Sequence, residues 1–394
     1  MKPFHCDACG SLVFFENSAC GQCGRALGFL PDVLDLSALE PGEGDTFTPL
    51  TPAAQGRSQR RCANGRQHAL CNWLVPVAET EDFCAACRLN EVIPDLSVKG
   101  NRERWNLLEC AKRRLIYTLL KLRLPLDAAA TDGRPALRFR FLGDTANGAP
   151  VLTGHEAGVI TLNIAEADDA VREARRVSLH EPLRTLLGHF RHEIAHYYWD
   201  RLIAQSDWLE GFRALFGDER EDYATALQRH YTKGPTSDWP DRSVTAYASA
   251  HPWEDWAETW AHYLHIVDTI ETAAGFGLTL RPRHPSADTM TADPKKAAKE
   301  AAGFDLILAT WFPLTYALNS LNRGMGLSDL YPFVLSAVAI DKLRFVHDVI
   351  EASRLPVGST PEGRSGGSSV AEPEMVATIS PAVHLTTGDI LPVR

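Results

Sequence analysis

His192, Glu193 and His196, in the run His192-Glu193-Ile194-Ala195-His196, are residue types that together can hold and use a metal ion. An α-helix turns once in about 3.6 residues, so side chains four apart share a face. Both imidazoles can then point at one ion while Glu193 borders the same space. This is the pattern of a zinc hydrolase, in which two histidines hold the metal and the glutamate takes a proton from metal-activated water. Such a zinc has three protein ligands and one open position, so His192 and His196 need a partner from elsewhere.

The stretch from Tyr247 to Trp260 offers one. Glu254 and Glu258 stand four apart on a helix expected over Pro252–Asp268, whose other face is Trp253, Trp256, Trp260 and Leu264. The acids then look into a site while the rings anchor the helix. His251 and His262 are further donors in this stretch. Asp200, four residues after His196, either orients that histidine or pairs with Arg201 or Lys233 at the surface. His189 and Arg191 read as packing or solvated groups, and Tyr197, Tyr198 and Trp199 as core and cleft wall. No Gly-x-Ser-x-Gly elbow or Walker loop offers competing chemistry.

Eight of the nine cysteines precede Arg88. Cys6, Cys9, Cys20 and Cys23 form two CxxC pairs, each followed by a glycine (Gly10, Gly24) where a tight knuckle needs a permissive backbone. They read as a zinc ribbon with one structural zinc. Cys62, Cys71, Cys84 and Cys87 form a second candidate set with one CxxC pair, in which His68 is an alternative ligand. Metal binding would supply the folding energy of two small modules with little apolar core. Cys110 is left to pack as a small apolar residue.

The elements that must position these groups follow from periodicity. Trp105, Leu108, Ala111, Leu115, Leu119 and Leu122 mark an amphipathic helix from Asn101 to Leu124, closed by Pro125. Asp132-Gly133 marks a turn, and residues 137–142 and 159–164 read as strands on either side of a loop around Gly154 and Gly158. The metal motif sits in a helix from about Glu181 to Ala204. Helices are expected over Glu210–His230 with a break near Gly217-Asp218, over Phe304–Leu321 perturbed at Pro313, and over Pro332–Glu351, the last two as an antiparallel pair. Glu40–Gly56 reads as a loop or linker.

At 394 residues with 45% apolar content the chain has room for several domains and a real core. A net charge of −10 argues against a dedicated nucleic-acid binder. Arg57, Arg60, Arg61 and Arg66, and the basic helix after Asn101, read as solvated faces. The N-terminal residues lack the signature of a secretory signal, and no apolar run is long enough to span a bilayer, so the sequence predicts a cytoplasmic protein without a membrane segment.

The HEIAHYYWD and HPWEDWAETWAHYLH segments, taken with the cysteine ribbons, resemble a bacterial family of zinc-binding metallopeptidases with an N-terminal zinc ribbon. The two active-site helices alone also resemble the lethal-factor type of gluzincins. That likeness implies Glu254 as third ligand, with Glu258, His251 and His262 as alternatives. It makes Glu258 a partner of one histidine's free N–H, and makes Tyr247, otherwise an unremarkable core residue, a donor to the oxyanion of the tetrahedral intermediate. The expected protein is α+β: a zinc-ribbon domain over 1–99, a mainly helical zincin-like metallopeptidase domain with a small sheet over 100–352, and a disordered tail over 353–394. Its cofactors are one catalytic and one or two structural Zn2+, and its substrate is a peptide or protein bound in part by strand addition. The ribbons are a possible surface for a protein partner. The rival expectation is a ribbon adaptor for protein or nucleic acid whose HExxH domain is structural, and a third is hydrolysis of a non-peptide bond.

Overall fold

In a computed structural model of the chain, residues 1–54, 56–126, 135–144, 151–178, 185–283, 290–299 and 302–356 are described. The expected turn at Asp132-Gly133, the start of the helix expected from Glu181, and the tail beyond residue 356 lie outside them.

Strands Phe4–His5 and Leu12–Val13 pair antiparallel and carry the first cysteine turn between them. Gly10 and Gly24 close the two knuckles, each at φ 72° with its N–H donating to the carbonyl of Cys6 or Cys20. That left-handed turn favours glycine. Five further strands, Leu27–Leu30, Asp35–Pro41, Thr46–Pro49, Gln59–Arg61 and Leu74–Pro76, form one antiparallel meander. The stretch read as a linker, Glu40–Gly56, thus lies partly in a sheet, with Glu40 opposite Thr48 and Pro41 opposite Phe47. Pro41 and Pro49 end their strands, where a missing N–H costs little, so composition alone misleads there.

The expectation of metal modules with little core of their own is also corrected. Phe15 meets Phe29 at 4.9 Å and Tyr117 at 5.5 Å between ring centroids, and Phe29 meets Trp73 at 4.7 Å. Tyr117 belongs to the helix Asn101–Lys121, and one buried apolar cluster runs from Phe4 through this helix to Ile350. The contact is tight elsewhere too: a Cβ on Gly275 would sit 2.4 Å from Cδ of Pro3. Gly275→Ala is therefore expected to lower stability by about 1–3 kcal/mol through overpacking. Urea unfolding of the variant measures this, and an unchanged midpoint would show that the junction yields.

The second sheet has the order Gly154–Glu156, Val159–Asn163, Arg138–Leu142, Asn90–Val92. Its last two pairings are parallel, and the helix Asn101–Lys121 lies in the chain between Asn90–Val92 and Arg138–Leu142. Gly154–Glu156, expected as loop, is the antiparallel edge strand, joined through Ala157 and Gly158, which both have positive φ. A side chain at Gly158 would lie 2.6 Å from the carbonyl oxygen of Ala136. The inward residues Phe139, Phe141, Ile160 and Leu162 are buried, and Phe139 and Phe141 meet Phe190 of the HExxH helix, Leu186–Leu202, at 5.8 and 6.4 Å.

Helices Trp208–Phe216 and Tyr223–Lys233 flank the expected break. The glutamate helix is longer than expected, Pro252–Gly275. Phe304–Gly324 continues through Pro313, and the last helix begins at Ala337 instead of Pro332, because Ser336 caps it by accepting the N–H of Ala339 at 3.1 Å. These two helices meet at Phe304, His347 and Arg344, and both pack on the glutamate helix.

The basic groups singled out above are engaged: Arg57 with Asp32, Arg60 and Arg66 with Asp82, Arg61 over the Phe47 ring, Arg104 with Asp168, Arg114 with Glu16. No helix among the described residues is long and apolar enough to cross a membrane.

Candidate active site

Thr185 opens the HExxH helix, its side chain accepting the N–H of Gly188 at 2.9 Å. Opposite it, Pro252 begins the glutamate helix and His251 caps it, accepting the N–H of Trp253 at 3.1 Å. The crossing of the two helices is fixed by tryptophans. The Trp256 indole N–H donates to the carbonyl of Ala195 at 2.8 Å, and Trp260 stacks on Tyr198 at 5.0 Å. With these rings buried, Glu254 and Glu258 face the histidines.

His192, His196 and Glu254 converge, with one donor atom from each lying within 4.8 Å of the others. His192 Nε2 is 3.3 Å from His196 Nε2 and 3.0 Å from Glu254 Oε2, and His196 Nε2 is 3.8 Å from Glu254 Oε1. Metal–nitrogen bonds of about 2.0–2.1 Å in a tetrahedron set donor atoms about 3.3–3.4 Å apart, the spacing of the two imidazole nitrogens, and the Glu254 carboxylate stands close enough to both to complete a zinc site. Glu254 Oε2 is buried and accepts no hydrogen bond, an orphaned lone pair aimed where an ion would sit.

Glu258 lies behind this cluster. Its Oε1 is 2.8 Å from His192 Nδ1 and its Oε2 accepts from the Thr245 hydroxyl at 2.7 Å. A proton held on Nδ1 leaves Nε2 free as a ligand. Burial opposes charge on His192, yet Glu254 and Glu258 outweigh it and raise its pKa well above the usual value. Burial also works against the Glu254 carboxylate, which the charges and contacts of His196 and His192 nevertheless hold down at about 2. The two carboxylates thus favour positive charge at this spot. Glu193, on the same helix and 9% exposed, is pushed up to about 7, chiefly by burial.

The remaining sequence candidates are placed as follows. Tyr247, in a short 3-10 turn, is half-buried with its ring 6.0 Å from that of His192. Asp200 is exposed and forms no hydrogen bond or ion pair with His196 among the described residues. His251 is a cap, and His262 pairs with the Tyr331 hydroxyl at 2.6 Å, so neither joins the cluster. His189 pairs with Glu166, and Arg191 with Asp268. Cys110 is half-buried, and its sulfur receives a guanidinium N–H of Arg113 at 3.3 Å, a polar setting and not the apolar one expected. His68 packs edge-on to Trp105 at 5.6 Å, away from any cysteine cluster.

Sequence reasoning missed three side chains at the site. Tyr223 donates to Glu254 Oε1 at 2.6 Å, Thr245 holds Glu258, and His155 of the edge strand stacks on His196 at 6.3 Å. None carries a local pattern that could have marked it.

The cysteines converge in the two expected sets of four. Sulfur pairs lie 3.7 Å (Cys6–Cys23), 3.6 Å (Cys9–Cys20) and 3.7 Å (Cys71–Cys84) apart. Zinc–sulfur bonds of about 2.3 Å give a tetrahedral edge of about 3.8 Å, so both sets fit a zinc. Cys9 and Cys23 are exposed, whereas all four thiols of the second set are buried.

The fold and the three donor clusters define a helical HExxH metalloprotein with a ribbon domain in front. The comparison with known proteins agrees. Residues 101–349 match the family described as "Putative zinc-binding metallo-peptidase", and residues 3–98 match a zinc-ribbon domain. The chain belongs to this zinc-binding metallo-peptidase family. It is 44% identical over 352 residues to uncharacterized proteins of Mycobacterium tuberculosis and Mycobacterium bovis, covering 89% of this chain and 96% of theirs. No solved structure matches it significantly.

Proposed function

We propose that the chain is a gluzincin-type zinc metallopeptidase in which His192, His196 and Glu254 hold the catalytic metal and Glu193 is the general base. The observation that carries this reading is the meeting of donor atoms of His192, His196 and Glu254 within 4.8 Å of one another, beside the buried Glu193 carboxyl of the HExxH helix. Zinc, when bound, would supply the Lewis acidity that acidifies water and polarises a scissile carbonyl. Glu193, poised near neutrality, can take a proton from the attacking water and return it to the leaving amine. A purely structural metal has no use for that carboxyl.

Tyr247 is the candidate donor to the oxyanion. Its proton is retained because burial, and then the charge of Glu254, hold its pKa well above the usual value. Glu258, itself held by Thr245, fixes the His192 tautomer. The outer side of Gly154–Glu156 carries no further strand among the described residues, and His155 brings this edge to the site, so a peptide can add as a strand there. The two cysteine clusters would hold structural zinc.

The test is incubation of the full chain with a mixed peptide library at neutral pH, with new termini read by mass spectrometry. Termini that vanish with a chelator and with Glu193→Gln support the reading, and a library left intact by the zinc-loaded protein rejects it. A second expectation follows from Glu193. Its carboxyl accepts a proton only when ionised, so kcat/KM should show an acid limb, falling about tenfold per pH unit as Glu193 becomes protonated and levelling off above. A profile with no acid limb down to the pH at which the protein unfolds would remove Glu193 from the role of base.

A further inference from the structure

The two oxygens of Glu254 are treated differently by their surroundings. Oε2 accepts no hydrogen bond and faces His192 Nε2 at 3.0 Å, whereas Oε1 accepts the hydroxyl of Tyr223 at 2.6 Å. That length is typical of a hydroxyl bonded to an ionised carboxylate, a bond roughly twice as strong as a neutral one. The carboxylate itself is 1% exposed, so no solvent competes for Oε1.

Tyr223 reaches this position from a different helix, and its placement is tied to the glutamate helix. It is the first residue of Tyr223–Lys233, whose start is fixed by Asp222 accepting the N–H of Thr225 at 2.8 Å. The preceding residue in the chain, Glu221, offers its carbonyl to His251 Nε2 at 3.1 Å. The Tyr223 ring then packs edge-on to His251 at 5.2 Å and tilted against Trp253 at 5.8 Å. His251 is also the cap of the helix that carries Glu254. One buried imidazole therefore sets both the start of the ligand's helix and the loop that delivers the tyrosine.

The geometry points to Tyr223 as a positioning residue for the metal ligand: by occupying Oε1 it makes Glu254 present a single oxygen to the ion and keeps the neighbouring coordination position open for water. Without that hydroxyl the carboxylate would be able to offer both oxygens to a bound ion. Tyr247 does not share this task, because its hydroxyl forms no hydrogen bond to Glu254 among the described residues. One tyrosine serves the ligand and the other is left for substrate. This inference rests on the proposed metal site but not on the identity of any substrate.

The test uses the full-length protein. Zinc at the histidine site is withdrawn with a chelator, zinc remaining at the cysteine sites is counted, and zinc is titrated back against a chromophoric competitor. Cobalt(II), added in parallel at the emptied site, reports coordination number through the intensity of its visible bands. Tyr223→Phe is expected to bind the returning zinc about 10–100-fold more weakly, the range found when the group orienting a ligand is removed. Its cobalt bands should be weaker, as for a site with one more donor. The melting temperature of the zinc-depleted protein should fall only by what one hydrogen bond to the buried Glu254 carboxylate contributes, because the hydroxyl is the only group lost.

Wild-type affinity together with a wild-type cobalt spectrum in Tyr223→Phe would overturn the inference. So would a larger fall in melting temperature with an unaltered spectrum, which marks a folding defect. If the wild-type chain takes up no zinc beyond its cysteine sites, this inference and the metallopeptidase reading fall together. If Tyr223-dependent zinc binding is found but no peptide is cleaved, the inference stands and the peptidase reading alone fails.

Discussion

Glu193→Gln is expected to lower kcat/KM by about 10²–10⁴-fold, the usual contribution of a positioned general base, equivalent to about 3–5 kcal/mol of transition-state stabilisation. The metal content should remain at one ion for each of the three donor clusters. The amide has the shape of the acid but cannot take a proton from water. The fold should tolerate it, because burial already holds the Glu193 carboxyl up at about 7 and so keeps it neutral over much of the range in which proteins are handled. The sign of the stability effect follows. A carboxyl whose pKa is raised on folding costs stability as pH rises toward and through that folded value. The zinc-free glutamine variant should therefore match the wild type near pH 4 and be the more stable of the two at pH 8. Unchanged hydrolysis by this variant would exclude Glu193 as base, and loss of metal along with activity would make it a ligand.

Glu254→Ala should have the larger effect on metal. It removes a buried carboxylate whose Oε2 accepts no hydrogen bond, and leaves the Tyr223 hydroxyl without its acceptor. Zinc per chain should fall from three to two, with the cysteine sites keeping theirs and hydrolysis lost. Glu258→Ala is the informative comparison. Glu258 touches His192 Nδ1 and not the face where the donors converge, so its removal should weaken zinc binding by only about 10–100-fold. The reverse order, with Glu258→Ala emptying the site and Glu254→Ala sparing it, would exchange the two roles. Metal analysis of the purified variants decides between them.

The residues that the sequence names most readily are those whose spacing is local. His192 and His196 on one helix face, Glu254 and Glu258 on another, and the three CxxC knuckles of the ribbons each owe their geometry to a few consecutive residues. Tyr223, Thr245 and His155 arrive from three separate elements, so only tertiary packing brings them to the site. Asp200 shows the limit of periodicity from the other side. It lies on the right helix four residues after His196, yet its side chain is exposed and makes no bond to that ring. The meander was partly hidden for a different reason, since strands of three or four residues, two of them ending in proline, look like loops until their partners are known.

The ring cluster shared by Phe15, Phe29, Trp73 and Tyr117 has a practical corollary. A fragment cut at residue 100 would bare an oily facet on the very helix that packs beside the HExxH helix, so the catalytic half is not a detachable cassette. Starving the ribbons of zinc would loosen the support beneath the helix that braces the HExxH helix, and the chain would answer metal scarcity as one cooperative body.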